Sequence, residues 1–379
     1  MLLLLAGILL GMLAGLIPGL HSNTLAAALS GIGISGEDAA VLIIAMFGAH
    51  AVFSFVPSIF LGIPDEAVAV SVLPGQRMTK EGKGIDALKI MCASGLIAVL
   101  AAVLLFPLAQ ALYPIVYGSI SPYISQILVV LSVILAWRSK NPLMFAAIFL
   151  LSGLLGRASL NFGMEDPFLP LFGGMFAISS MLLWGKGKLP EQKEGKLELD
   201  FIRFALAGVL LGWVADLLPG ISSPAQVASF ASIIVPFATP AYLALVSSIG
   251  MSEAVFAFST SSTLGKARVG ALAQAAEQAD VQANLLQLIS AFVVAVAVSA
   301  VIIYLARRWI GKIAELDFSI LNKMLIAYVI ILTFLIDGIP GLAVLAPSIA
   351  VGIGCMKLDV ERTSVMGAII VPTIILLVS

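Results

Sequence analysis

One feature limits this chain more than any other: it is a near-continuous succession of apolar runs. They cover about 1–17, 23–34, 38–61, 87–112, 121–137, 142–156 and 168–184, and resume at 201–218, 224–235, 240–258, 281–305, 321–336, 341–356 and 364–378. A bilayer crossing takes about 20 mostly apolar residues. In hydrocarbon every backbone amide must be satisfied internally, so such runs fold as helices. Charged residues make up 11% of the 379, against about 25% in a soluble domain. The fold class expected is an all-α polytopic membrane protein of about ten to twelve helical segments, in the cell (cytoplasmic) membrane. A net charge of −1 offers nothing to nucleic acid. Cys92 and Cys355 lie in or near apolar stretches and read as small buried hydrophobes, not a disulfide or a metal site. The only histidines are His21 and His50. No metal or cofactor is expected, apart from a Na⁺ or H⁺ coupling ion. The first twenty residues lack the basic start of a signal peptide. Gly7, Gly11, Gly15 and Gly19 recur every fourth position, a stripe on which another helix can pack closely.

Two interruptions stand out. "GMLAGLIPGLHSNTLAAA" from Gly11 aligns without a gap with "GWVADLLPGISSPAQVAS" from Gly212. Further on, "AVFSFVPSIFLG" (51–62) matches "AVFAFSTSSTLG" (254–265) at seven of twelve positions. The chain therefore divides into a first membrane repeat (1–184), a polar linker (185–200) expected to be solvated, and a second repeat (201–379). About seven elements per repeat would place the copies in opposite orientation, the inverted plan of many secondary transporters, with broken or re-entrant helices.

Each Pro-Gly pair ends a helix and frees backbone groups, which is tolerable only inside the protein or beside water. Polar caps follow both times, so each break is expected to open a new helix N-terminus, suited to an anion. The substrate-binding candidates are accordingly Pro18, Gly19, His21, Ser22, Asn23 and Thr24, with Pro219, Gly220, Ser222 and Ser223. Ser259, Thr260, Ser261, Ser262 and Thr263 form five successive hydroxyls, unsuited to lipid or to a packed core, ahead of Lys266 and Arg268; Ser58 is their counterpart. Asp65, Glu66, Asp216 and Glu253 are candidates for ion coupling, because charge at membrane depth is costly and usually functional.

The pattern G-x-x-x-G-x-x-P-G-L at 11–20 resembles the large membrane subunit of tripartite tricarboxylate transporters, the TctA family. So does "GIPDEAVAVSVLPGQRMTKEGKGIDALKIMCASG" (62–95), with Ile63-Pro64, Gly75, Met78, Lys80, Gly82 and Ser94-Gly95 in place; Asp65 stands where the family has glycine. The resemblance implies an ion-driven permease for di- or tricarboxylates, built of two inverted repeats. Its implied partners are a small membrane subunit and an extracytoplasmic binding protein. Besides a small organic anion and membrane lipids, a second copy in a homodimer is among the partners expected. The alternative reading is a translocase for a lipid-linked phosphate such as polyprenyl phosphate, held by the same groups. No enzyme is expected: Gly-x-Gly-Asp, Gly-x-Ser-Gly followed by a later histidine, and His-Glu-x-x-His are all absent.

Overall fold

The computed structural model describes residues 1–17, 34–61, 72–183, 189–217, 235, 240–315 and 318–378. The described residues are overwhelmingly helical. In chain order the first half contains α1 (Leu2–Leu16), α2 (Glu37–Phe53, continued by a π-helical turn Pro57–Leu61), α3 (Val72–Lys80), α4 (Gly84–Ile120), α5 (Ile124–Arg138), α6 (Pro142–Asn161) and α7 (Phe168–Leu183, π-helical at Gly173–Ile178). The second contains α8 (Phe201–Leu217), α9 (Pro240–Leu264), α10 (Gly270–Gln278), α11 (Leu285–Gly311), α12 (Phe318–Lys357) and α13 (Arg362–Val378, opening with a 3₁₀ turn). Among the described residues six helices are long and apolar enough to cross a bilayer, so the chain is a multi-pass membrane protein. The short amphipathic helices α3 and α10 fall between the apolar runs and were invisible to a hydropathy reading. α12 is two limbs meeting at Gly338, whose φ of 63° and ψ of −147° break the helix.

The glycine stripe is a packing face. Added Cβ atoms on Gly7, Gly11 and Gly15 would strike α2: Gly7 meets the Leu42 carbonyl oxygen at 2.5 Å, Gly11 the Met46 carbonyl, and Gly15 the Phe53 Cβ at 2.7 Å. The second half repeats the first two of these contacts. Gly208 abuts the Ser248 Cβ at 2.5 Å, and Gly212 abuts Ser252 and the Ile249 carbonyl. Because the contacts advance together, α1 and α2 run parallel, as do α8 and α9. Small residues here let dispersion contacts between backbones replace the hydrophobic drive that lipid removes.

The halves are laced together by exchange. α4 packs on α9 and α11 packs on α2; likewise α13 packs on α6 and α12 on the π segment of α7. Serines fasten the first of these pairs: Ser247 donates to the Met91 carbonyl at 2.6 Å and Ser248 to that of Ser94 at 3.1 Å. Two separate apolar clusters therefore each draw residues from both halves. Cys92 and Cys355 are buried as free thiols.

The polar linker, expected to be solvated, is mostly exposed over its described residues, 189–200, yet strapped down. Gln192 accepts from the Gly84 amide at 2.8 Å and donates to the Thr79 carbonyl at 3.0 Å. The Lys193 amide donates to the Gly82 carbonyl and the Lys89 ammonium to that of Gly195, both at 2.8 Å. Glu194 binds Arg307 at 2.8 Å and Arg308 at 3.1 Å. It thus joins the start of α4 to the end of α11. The Arg307 hydrogen bond, with help from Arg308 and against some desolvation, holds the Glu194 carboxyl down to about 2.

Candidate functional site

The polar residues inside the core collect where α8 and α9 end side by side, with α4 lying across them. Four are sealed from solvent: Asp216, Ser259 and Thr260 at 0% exposure and Glu253 at 2%. Thr260 donates its hydroxyl proton to Asp216 Oδ2. Tyr113, from α4, lies against Asp216, Thr260 and Glu253, and its ring sits 6.1 Å from that of Trp213 on α8. Asp216 Oδ1, Glu253 Oε1, Ser259 Oγ, the Tyr113 hydroxyl and Trp213 Nε1 are buried without a hydrogen-bond partner among the described residues. An unpartnered buried polar atom costs about 1–3 kcal/mol, more if charged. Five such atoms, on α4, α8 and α9, make these residues the candidate site.

One turn beyond, at the end of α9, the charge reverses. Lys266 is exposed and Arg268 half-buried, and both lie over the face of Tyr117, at 4.6 and 5.4 Å from the ring centre. The Lys266 ammonium also donates to the Tyr117 hydroxyl at 2.8 Å. Arg268 Nε and Nη2 are buried and have no acceptor among the described residues. Gln110 donates to Ser262 at 3.3 Å and lines the same side of α4. The guanidinium is close enough to Asp216 for their charges to interact. The result is two sealed carboxylates in the interior and, toward the helix end, a guanidinium with two nitrogens that find no acceptor among the described residues.

The five hydroxyls fare differently from expectation. Ser259–Thr263 does not break the helix; it forms the last turns of α9. Ser262 and Thr263 both donate back to the Ser259 carbonyl, at 3.1 and 2.7 Å. Such back-bonding lets polar side chains persist in an apolar helix. Ser259 and Thr260 are buried, and Thr260 meets Asp216, whereas Ser261, Ser262 and Thr263 are half-buried. Ser58 is buried elsewhere, in the π turn that packs on α3. Pro18, Gly19, His21, Ser22, Asn23, Thr24, Asp65, Glu66, Pro219, Gly220, Ser222 and Ser223 lie outside the described residues. Tyr113, Tyr117, Gln110 and Trp213 were not singled out from sequence. Their one signal is polarity at helical spacing on one face of α4: Gln110, Tyr113 and Tyr117 stand three and four residues apart.

The family model for "Tripartite tricarboxylate transporter TctA family" matches residues 1–367. An uncharacterized protein of Methanocaldococcus jannaschii is 25% identical over 394 aligned positions, covering 99% of this chain and 98% of that protein. No solved structure matches.

Proposed function

We propose that this chain, which belongs to the tripartite tricarboxylate transporter TctA family, is an ion-coupled permease that carries small organic anions such as di- or tricarboxylates across the cytoplasmic membrane. The observation that carries this reading is a set of buried charged groups with atoms that find no partner among the described residues: Arg268 Nε and Nη2, Asp216 Oδ1 and Glu253 Oε1. Arg268, with Lys266 and the Tyr117 hydroxyl, would take a substrate carboxylate through charge-assisted hydrogen bonds. Asp216, Glu253, Ser259 and Thr260 would hold the coupling cation. The matched helix pairs α1/α2 and α8/α9 support two inverted repeats, rocking against each other about this site. A small membrane subunit and an extracytoplasmic binding protein are the partners that the tripartite system supplies.

The test is uptake of labelled citrate and succinate by the purified chain in proteoliposomes, with the partner subunits present and absent. Accumulation that needs an inward Na⁺ or H⁺ gradient supports the reading. Binding of a polyprenyl phosphate with no effect of either carboxylate would replace it with lipid translocation.

A further inference from the structure

The strap supplies a fixed reference for direction. It holds the start of α4, and the end of α11 lies beside it: an added Cβ on Gly311 would stand 2.9 Å from Ile85 Cδ1 and 3.5 Å from Gln192 Cβ. The π turn that continues α2 arrives at the same place, because an added Cβ on Gly84 would stand 2.8 Å from Phe60 Cε1. α2 and its parallel neighbour α1 therefore run toward the strap, as does α11. α9 runs away from it. Its contacts with α4 advance in step, from Ser247 on Met91 and Ser248 on Ser94 to Ser262 on Gln110, and α8 lies parallel to α9. At 1.5 Å per residue the 25 residues of α9 reach about 37 Å, whereas the hydrocarbon of a bilayer is about 30 Å thick. The strap and the Lys266–Arg268 segment after α9 thus stand on opposite sides of the membrane.

Charge divides the same way. Three basic segments that are far apart in sequence meet on the strap face. Lys83 and Lys89 flank the turn into α4, Lys193 and Lys196 belong to the strap, and Arg307, Arg308 and Lys312 close α11. At the other ends of α2, α9 and α11 the basic residues described are Lys266 and Arg268, set among Glu37, Asp38, Glu277 and Asp280. The end of α11 also carries the marks of a headgroup layer. Trp309 is 73% exposed with the Lys312 ammonium 4.6 Å from its ring centre, and Arg307 lies 4.1 Å from that of Tyr304. Such amphipathic rings sit at the membrane–water interface, which puts these bases beside the end of a span. Lys and Arg in that position are retained on the cytoplasmic side, and Asp and Glu weigh little.

We propose that the strap face looks into the cytoplasm, so that the Leu2 end of α1 and the Lys266–Arg268 end of the candidate site face outward. An anion arriving from outside then meets the exposed Lys266 before the half-buried Arg268, and the strap closes the opposite, inner face. That entrance rests on the permease reading; the sidedness does not.

Single cysteines decide it, in the full chain with Cys92→Ala and Cys355→Ala removing the two buried thiols. Gln282→Cys, in the turn before α11, and Lys196→Cys, on the strap, replace exposed residues. Glu277→Cys and Glu198→Cys, also exposed, serve as a second pair where one of the first fails to fold. Spheroplasts are treated with a membrane-impermeant maleimide before and after permeabilisation. Gln282→Cys should label before permeabilisation and Lys196→Cys only after it. The reverse pattern, labelling of both from outside, or labelling of neither from outside overturns the proposal. In a separate arm, Lys266→Cys should label from outside and be protected by external citrate. Labelling without protection, with the first pattern intact, overturns the citrate entrance and leaves the sidedness standing.

Discussion

The helix pairs α1/α2 and α8/α9 are built alike and equipped differently. Glu37–Leu61 and Pro240–Leu264 are both 25 residues long, and in each pair the same glycine positions press on the same register of the partner helix. Aligned position by position, Asp216 stands opposite Gly15, Glu253 opposite His50, Thr260 opposite Pro57 and Ser259 opposite Val56. Gly15 has no room for a side chain, because its Cβ would lie 2.8 Å from the His50 carbonyl oxygen. The glycine contacts recur in both pairs, but the two buried acids belong to the second alone. Under the proposed permease reading, the coupling chemistry would then fall to the second pair.

That contrast can be broken most severely at the acids. Glu253→Gln is expected to cut gradient-driven uptake by about 100-fold, the effect of about 2.7 kcal/mol in a barrier, whereas His50→Gln at the matching position should leave it within about threefold, the range of a substitution away from the candidate site. If both lose transport equally, the repeats share the chemistry. Arg268→Ala should weaken carboxylate binding by about 1–3 kcal/mol, and exposed Lys266→Ala by about 0–1 kcal/mol; isothermal titration separates the two. The frame itself should respond evenly. Gly11→Val and Gly212→Val are each expected to destabilise by about 1–3 kcal/mol through overpacking, read as equal drops in thermal unfolding in detergent. The smallest effect lies outside the repeats, at Glu194. Its carboxyl is held near 2, below an ordinary value of 4.5, so its ion pairs stabilise fully above about pH 4.5 and are lost as pH falls toward 2. Wild type should therefore lose more thermal stability than Glu194→Gln between pH 6 and 3, by less than about 1 kcal/mol for a largely solvated pair.

Much of the frame was legible because it is written as spacing. The stripe at Gly7, Gly11 and Gly15 named the packing face, and the two aligned blocks named the helices that would correspond. Asp216 and Glu253 were legible because a carboxylate in an apolar run has few neutral explanations. Their neighbours were not. Tyr113 and Tyr117 lie past the end of the apolar run at 112, beyond Pro107, yet α4 continues through both Pro107 and Pro114. An aromatic residue in such a helix reads as packing unless its partner across the interface is known. The five hydroxyls divide: Ser262 and Thr263 are satisfied by back-bonding within α9, while Ser259 Oγ finds no partner among the described residues. The strap was hidden because Lys89 and Arg307, which pin it, are far from it in sequence.

The exchange of α4 and α11 between halves bears on how the chain is made. When α4 leaves the ribosome, the surface it will finally rest on, α9, has not been synthesised. The nascent first half therefore waits in the insertion machinery with its seam open, and it closes only after translation is well advanced. Halves produced from separate genes should be degraded one at a time and rescued together, each acting as the other's folding template.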